Sequence, residues 1–222
     1  MAVTFPLSRA EFADLIDPAS MSFYLPSSRE IDIDGSGQVI DSNLGARLWR
    51  GAVTLVPKVH ADAVAIETLL AILNTSGASV YLYDRRKPYP RLDPEGLILG
   101  ATVPTILSLA VSNREMALTG LPAGYTLSRG DYLSFSYLDV TGATRYALHA
   151  VVDAIVTADG TGVTPSFEVV PNIRPGAVIT TPVTLAKPAC KAVLLPNTLG
   201  AAMGQAGLVS SGQTFEFAQT LR

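Results

Sequence analysis

With 222 residues and a single cysteine, Cys190, the chain is long enough to bury a core unaided, and it can form neither an intrachain disulfide nor a multi-cysteine zinc site. A formal charge of −3, with four Lys, twelve Arg and no basic run able to follow a phosphate backbone, argues against a nucleic-acid partner. Charged residues are 16 % and apolar residues 48 %, too few charges to coat an isolated monomer comfortably, and the shortage falls on Lys more than Arg, as at surfaces buried between proteins.

In chain order, "PLSRAEFADLI" opens with Ser8 and Glu11 at the spacing of a capping box, which predicts a short helix. Past Pro18 the period becomes two. Met21, Phe23 and Leu25 alternate with Ser22 and Tyr24, and Ile31 and Ile33 alternate with Asp32 and Asp34, as in half-buried strands, before "DGSG" turns the chain. In "LWRGAVTLV", Trp49, Val53 and Leu55 share a face with Gly51, whose missing side chain admits a bulky neighbour. "HADAVAIETLLAILNTSG" breaks the pattern: Ile66, Leu69, Leu70 and Leu73 follow a helix stripe over about residues 60–74, ended by Asn74 and Gly77. "ASVYLY" returns to strand with Val80 and Leu82 opposing Tyr81 and Tyr83, and "DRRKPYPRLDPEG" reads as an exposed loop.

Further strands are expected at "EMALTG", at "DYLSFSY" with Leu133, Phe135 and Tyr137 on one face, and at "RYALHAVVDAIV" with Tyr146, Leu148, Ala150, Val152 and Ala154 on one face. "DGTG" at 159–162 reads as a hairpin turn into "SFEVV", and "TFEFA" closes the chain with Phe215 and Phe217 flanking Glu216. No internal repeat stands out. The fold class is mainly β, α+β in detail, with one substantial helix.

Sequence patterns that could carry chemistry are few. Arg129-Gly130-Asp131 has the composition of an adhesion tripeptide, but Gly130 fits the positive-φ position of a turn joining "YTL" to "DYLSF". In "DIDGSGQVIDSN", Asp32, Asp34 and Ser36 sit at calcium-loop spacing, yet Asn43 stands where a bidentate Glu belongs, so this is a weak cation candidate. His60 and His149 are the only histidines, and no G-x-S-x-G elbow accompanies them. "GAAMGQAG" at 200–207 lacks dinucleotide-binding spacing. The reading is of a non-enzyme without cofactor. The opening "MAVTFPLSRAEF" has no export signal, and the uncharged stretches 96–113 and 192–215 carry too many Pro, Gly and polar residues to span a membrane, so a cytoplasmic site of synthesis is expected. Arg85, Arg86, Tyr89 and Arg91 join planar cations and an aromatic ring on a Pro-stiffened loop, a composition that favours protein contact.

The order "LWRGAVTLVP", an Ala/Leu-rich helix ending "LLAILNTSGASVYLYD", a Pro-rich loop, "GLPAGYTLSRGDYLSFSY", "RYALHAVVDAIVTADGTGVTPSFEVVPNIRP" and "VTLAKPACKAVL" resembles the distal-tail or tail-tip proteins of long-tailed bacteriophages over about residues 46–195. The resemblance implies a tail-tube-like β-sandwich or split barrel with one packed helix. It implies one compact unit over 1–222, with a core over 20–84 and 144–172, a β-rich segment over 92–140 and an extended C-terminal arm over 175–222. It further implies a ring, commonly a hexamer, joining tube to tail-tip hub in the virion, with tail-tube, tape-measure and hub proteins as partners. Ring contacts would fall on Arg85, Arg86, Tyr89, Arg91, Trp49 and Arg50. The competing reading is a module binding host-surface glycans through Trp49, Tyr81, Tyr83 and Tyr89.

Overall fold

A computed structural model describes residues 3–205 and 209–221, so positions 206 and 207 of the small-residue stretch 200–207 lie outside the described residues. The chain is mainly β, 39 % strand and 9 % helix, with sheets curled into half-barrels and one real helix.

After a single turn of π-helix at Arg9–Ala13 come β1 (Pro18–Met21), β2 (Arg29–Ile33), β3 (Val39–Asn43), β4 (Arg50–Leu55) and β5 (Lys58–Val59). Helix α1 (His60–Leu73) leads into β6 (Val80–Tyr83), β7 (Thr105–Leu109), β8 (Glu115–Thr119) and β9 (Thr126–Ser128). Then follow β10 (Tyr132–Leu138), β11 (Thr144–Val151), β12 (Ile155–Thr157) and β13 (Phe167–Val170). The chain ends with β14 (Ala189–Leu194), β15 (Met203–Gln205), β16 (Val209–Ser211) and β17 (Thr214–Gln219).

Two antiparallel five-stranded sheets dominate, one in the order β1-β4-β17-β14-β6 and the other β10-β11-β13-β8-β7. Each covers its own apolar core, and β10 and β11 face both. Tyr132, Leu148 and Ala150 point into the first core, while Leu133, Phe135, Tyr137, Ala147 and Val151 point into the second. Strand alternation produces this directly, because successive side chains leave opposite faces of the ribbon. The pair runs in unbroken register from Tyr132 opposite Ala150 to Leu138 opposite Thr144.

Several local expectations hold. Ser8 and Glu11 form both bonds of the capping box, although the helix they start lasts one turn. In α1, Ala63, Ile66, Leu70 and Leu73 are buried. Gly51 is required sterically: a Cβ there would stand 2.1 Å from the Ser22 carbonyl oxygen and 2.6 Å from Cζ of Phe217. Phe217 uses the space to join Phe23, whose ring also meets Trp49 and Tyr132 at centroid distances of 5.5 and 6.0 Å.

Other expectations are corrected. The segment 175–222 is no peripheral arm, since β17 and β14 occupy the middle of the first sheet and carry buried Phe215, Phe217, Cys190 and Ala192. Residues 144–172, expected in one core with 20–84, supply β11 and β13 to the second sheet beside β7, β8 and β10 of the intervening segment 92–140. Strand β11 stops at Val151: the Val152 N–H still reaches the Glu168 carbonyl, but the Glu168 N–H turns to the Asp153 carboxylate at 3.1 Å instead of closing the rung. The "DGTG" turn joins β12 to β13 but builds no hairpin, as β12 pairs with β9 and β13 with β11 and β8. Ile31 and Ile33 are not half-buried. Among the described residues the β2–β3 ribbon pairs only with itself, and every residue of both strands is exposed.

Candidate functional site: a basic groove and an exposed arm

The Pro-rich loop is held down by buried carboxylates, a feature its composition concealed. Asp84 is fully buried and receives the Arg86 guanidinium as a fork, Nε to Oδ1 at 2.9 Å and Nη2 to Oδ2 at 2.8 Å, with the Arg86 N–H also on Oδ1 at 3.0 Å. Paired geometry of this kind is the strong form of a charge-assisted bond. Asp93 accepts the N–H groups of Ile98 and Leu99 at 3.1 and 2.9 Å. Asp131 accepts from the N–H of Arg91 at 2.9 Å and of Ser128 at 2.7 Å. Burial pushes the Asp131 carboxyl above the ordinary carboxylate range, against the pull of those donors.

Asp131 therefore ties the tripeptide turn to the Pro-rich loop. Gly130 has φ +86°, and the Asp131 N–H closes the turn on the Ser128 carbonyl at 3.0 Å, as the spacing led one to expect. With its aspartate buried and its arginine exposed, the tripeptide cannot be presented as an adhesion ligand. What the turn does instead is bring Arg129 beside the loop.

The result is a groove of about 400 Å³ lined by Arg86, Lys87, Tyr89, Arg91, Arg129 and Asp131, with prolines filling its walls. Tyr89 packs against Gly96, where a Cβ would stand 2.7 Å from its ring. Arg129 donates from Nε to the Val152 carbonyl at 2.7 Å and Lys87 reaches the Gly130 carbonyl at 3.5 Å, and among the described residues neither cation has a carboxylate within ion-pair distance. Among the described residues the Arg91 guanidinium makes no ion pair either, and Asp131 spends its oxygens on backbone donors. The groove floor is thus fixed, and its rim carries three cations, of which Lys87 and Arg91 feel the Asp131 carboxylate without forming an ion pair with it.

The expected contact residues separate into two kinds. Arg85 is structural: its Nη1 donates to the carbonyls of Ala13 and Asp14 at the end of the π-turn, and Nη2 reaches Asp17 at 3.4 Å. Arg86 is held by Asp84. Tyr89 and Arg91 do line a surface groove, and Arg50 is exposed on β4. Trp49 is only 5 % exposed and lies in the first core, so it offers no contact surface. Tyr83 is buried too, its hydroxyl donating to Asp14 at 2.6 Å, which leaves the glycan reading two of its four rings. Lys87 escaped notice in the sequence and Arg129 was noted only within the tripeptide, because 42 residues separate them and it takes the Asp131 bridge and the Lys87–Gly130 contact to bring them together.

The suspected cation loop is a self-contained turn. Oδ1 of Asp34 accepts the Ser36 N–H, the Ser36 hydroxyl and the Gln38 N–H at 2.8, 2.6 and 2.9 Å, while Asp32 accepts the N–H of Ile33. The same set of bonds recurs at Asp139, Thr141 and Ala143 and again at Asp159, Thr161 and Val163. In each case the glycine before the last residue has positive φ. Hydrogen bonds to the ionised form hold all three carboxyls below the ordinary range. Among the described residues, no three His, Cys, Asp or Glu side chains gather as metal ligands.

The turn at Asp34 is the tip of the β2–β3 arm. Cross-strand pairing sorts the arm into two faces. Ile31, Ile33, Val39 and the Arg29–Asp41 ion pair share one, and Glu30, Asp32, Ile40 and Ser42 share the other. Among the described residues, neither Glu30 nor Asp32 has a cationic partner. Among the described residues, no helix is long and apolar enough to cross a membrane. Comparison with models of known protein families and with curated proteins finds no match to this chain.

Proposed function

We propose that the chain is a structural subunit that assembles with copies of itself, and that it serves as a ring at the distal end of a long-tailed bacteriophage tail, between tube and tail-tip hub. The observation that carries self-assembly is the arm: Ile31, Ile33, Val39 and Ile40 are between 54 % and 65 % exposed on a ribbon that rests on no other strand. Isolated two-stranded hairpins are marginal in water. Covering such side chains stabilises by roughly 1.5–3 kcal/mol each when burial is complete.

The tail assignment rests on the resemblance of residues 46–195 and on the low charge content. In this reading the protein makes and breaks no bonds, its ring holds commonly six copies, and its neighbours are tube, tape-measure and hub proteins. Sedimentation of the purified chain over a range of concentrations tests self-assembly, and mass spectrometry of purified virions tests location. Concentration-dependent oligomers and presence in particles are the expected results. A monomer at every soluble concentration that is missing from virions would contradict the proposal.

A further inference from the structure

The geometry points to a specific contact within such an assembly: the carboxylate face of the β2–β3 arm of one copy seats against the basic groove of a second copy. This inference rests on the self-assembly reading and names the two surfaces that meet.

Charge complementarity is the first support. Residues 29–43 hold four carboxylates, Glu30, Asp32, Asp34 and Asp41, against one cation, Arg29, a net of −3 that equals the formal charge of the whole chain. Inside the arm, Arg29 is committed to Asp41 at 3.0 Å, and Oδ1 of Asp34 is committed to its own turn. Glu30 and Asp32 remain, two residues apart on the same face, which spaces their backbones by roughly 7 Å along the strand. Elsewhere on the surface the groove presents Lys87, Arg91 and Arg129, none of them ion-paired among the described residues. Two unpaired anions on one surface and three unpaired cations on another are what an intermolecular contact leaves in each separated subunit.

The second support is shape. A groove of about 400 Å³ takes a few side chains of one strand rather than a whole ribbon, and its floor is rigid, since Asp131 fixes the Arg91 and Ser128 amides. Glu30 and Asp32 can enter from the arm's acidic face. Tyr89 in the groove wall offers an apolar ring to Ile40, which lies on that face opposite Asp32.

The third support is the symmetry it imposes. The arm and the groove are different surfaces of one chain, so each copy donates an arm to one neighbour and receives an arm from the other. Such a heterologous contact propagates head to tail and closes into a ring where the rotation permits. Charge pairs across an interface speed encounter and fix register, and they weaken with added salt.

Sedimentation velocity on four forms of the full chain tests the pairing: wild type, an arm variant (Glu30→Lys with Asp32→Lys), a groove variant (Lys87→Glu with Arg91→Glu), and the combination of all four changes. All four side chains are on the surface, and circular dichroism with thermal unfolding checks that each form is folded. The expected result is association of wild type, weakening by ~10-fold or more in the arm and groove variants, and recovery in the combination, where the charges again match. A salt titration of wild type supplies a second readout, with association falling as salt rises. If wild type associates and the arm and groove variants associate equally well, the pairing is wrong while self-assembly stands. If wild type is monomeric, both are wrong.

Discussion

The indole Nε1 of Trp49 donates to the main-chain carbonyl of Leu148 at 2.8 Å, and this buried bond joins the first sheet to β11 of the second. Trp49 also meets Tyr132 edge-on at a centroid distance of 5.4 Å, so one side chain couples the two layers by both a polar and an aromatic contact. Trp49→Phe keeps a ring there but leaves the Leu148 carbonyl without its donor. Urea unfolding should show a loss of about 1–3 kcal/mol.

Gly51→Ala puts a methyl group into the Ser22 carbonyl and the ring of Phe217. Neither is a flexible side-chain end, so the strand or the ring must move. A destabilisation of about 1–3 kcal/mol is expected in the same assay, with disturbed aromatic signals in near-ultraviolet circular dichroism.

Arg86 and Arg91 are neighbours in sequence with opposite roles. Arg86→Ala strands the buried Asp84 carboxylate and should cost about 2–4 kcal/mol, less than for a fully enclosed pair because half of the arginine meets solvent. Arg91→Ala removes no ion pair and should leave folding stability within about 0.5 kcal/mol. Thermal unfolding of the two variants side by side distinguishes a structural arginine from one available for contact.

His149 gives the fold a defined pH response. Its Nδ1 donates to the Pro171 carbonyl at 2.7 Å, its ring stacks on Phe135, and Nε2 is buried without a partner. Burial pulls its pKa from 6.5 to about 4. The unfolded chain therefore takes up a proton near pH 6.5 that the folded chain refuses until about pH 4. Stability fully present above pH 6.5 falls as the pH drops through this window, by roughly 3 kcal/mol in all, and levels off below it. His149→Phe should flatten that part of the stability profile measured by urea unfolding at each pH.

Periodicity made much of the fold legible. Alternation located β10, β13 and β17 because each packs at least one face on a core, and the helix stripe located α1 because one side of it is buried. Where alternation misled, at Ile31 and Ile33, the pattern was genuine strand pattern on a ribbon with nothing packed beneath it. Sheet order was not legible, since seating β17 beside β4 depends on contacts more than a hundred residues apart. For the groove, composition flagged the Pro-rich loop but could not separate Arg86 from Arg91, because the distinction is set by a buried aspartate. The Asp-x-Ser/Thr-Gly turns at 34, 139 and 159 share a readable four-residue pattern, whose recurrence could have been found by comparing the three turns directly.

The most direct measurement compares the solution mass of the wild-type chain with that of a form in which residues 30–42 are replaced by a Gly-Gly turn between Arg29 and Asn43. The account predicts concentration-dependent oligomers for wild type and a folded monomer for the shortened chain. A wild-type chain that stays monomeric, or a shortened chain that assembles to the same extent, would contradict it.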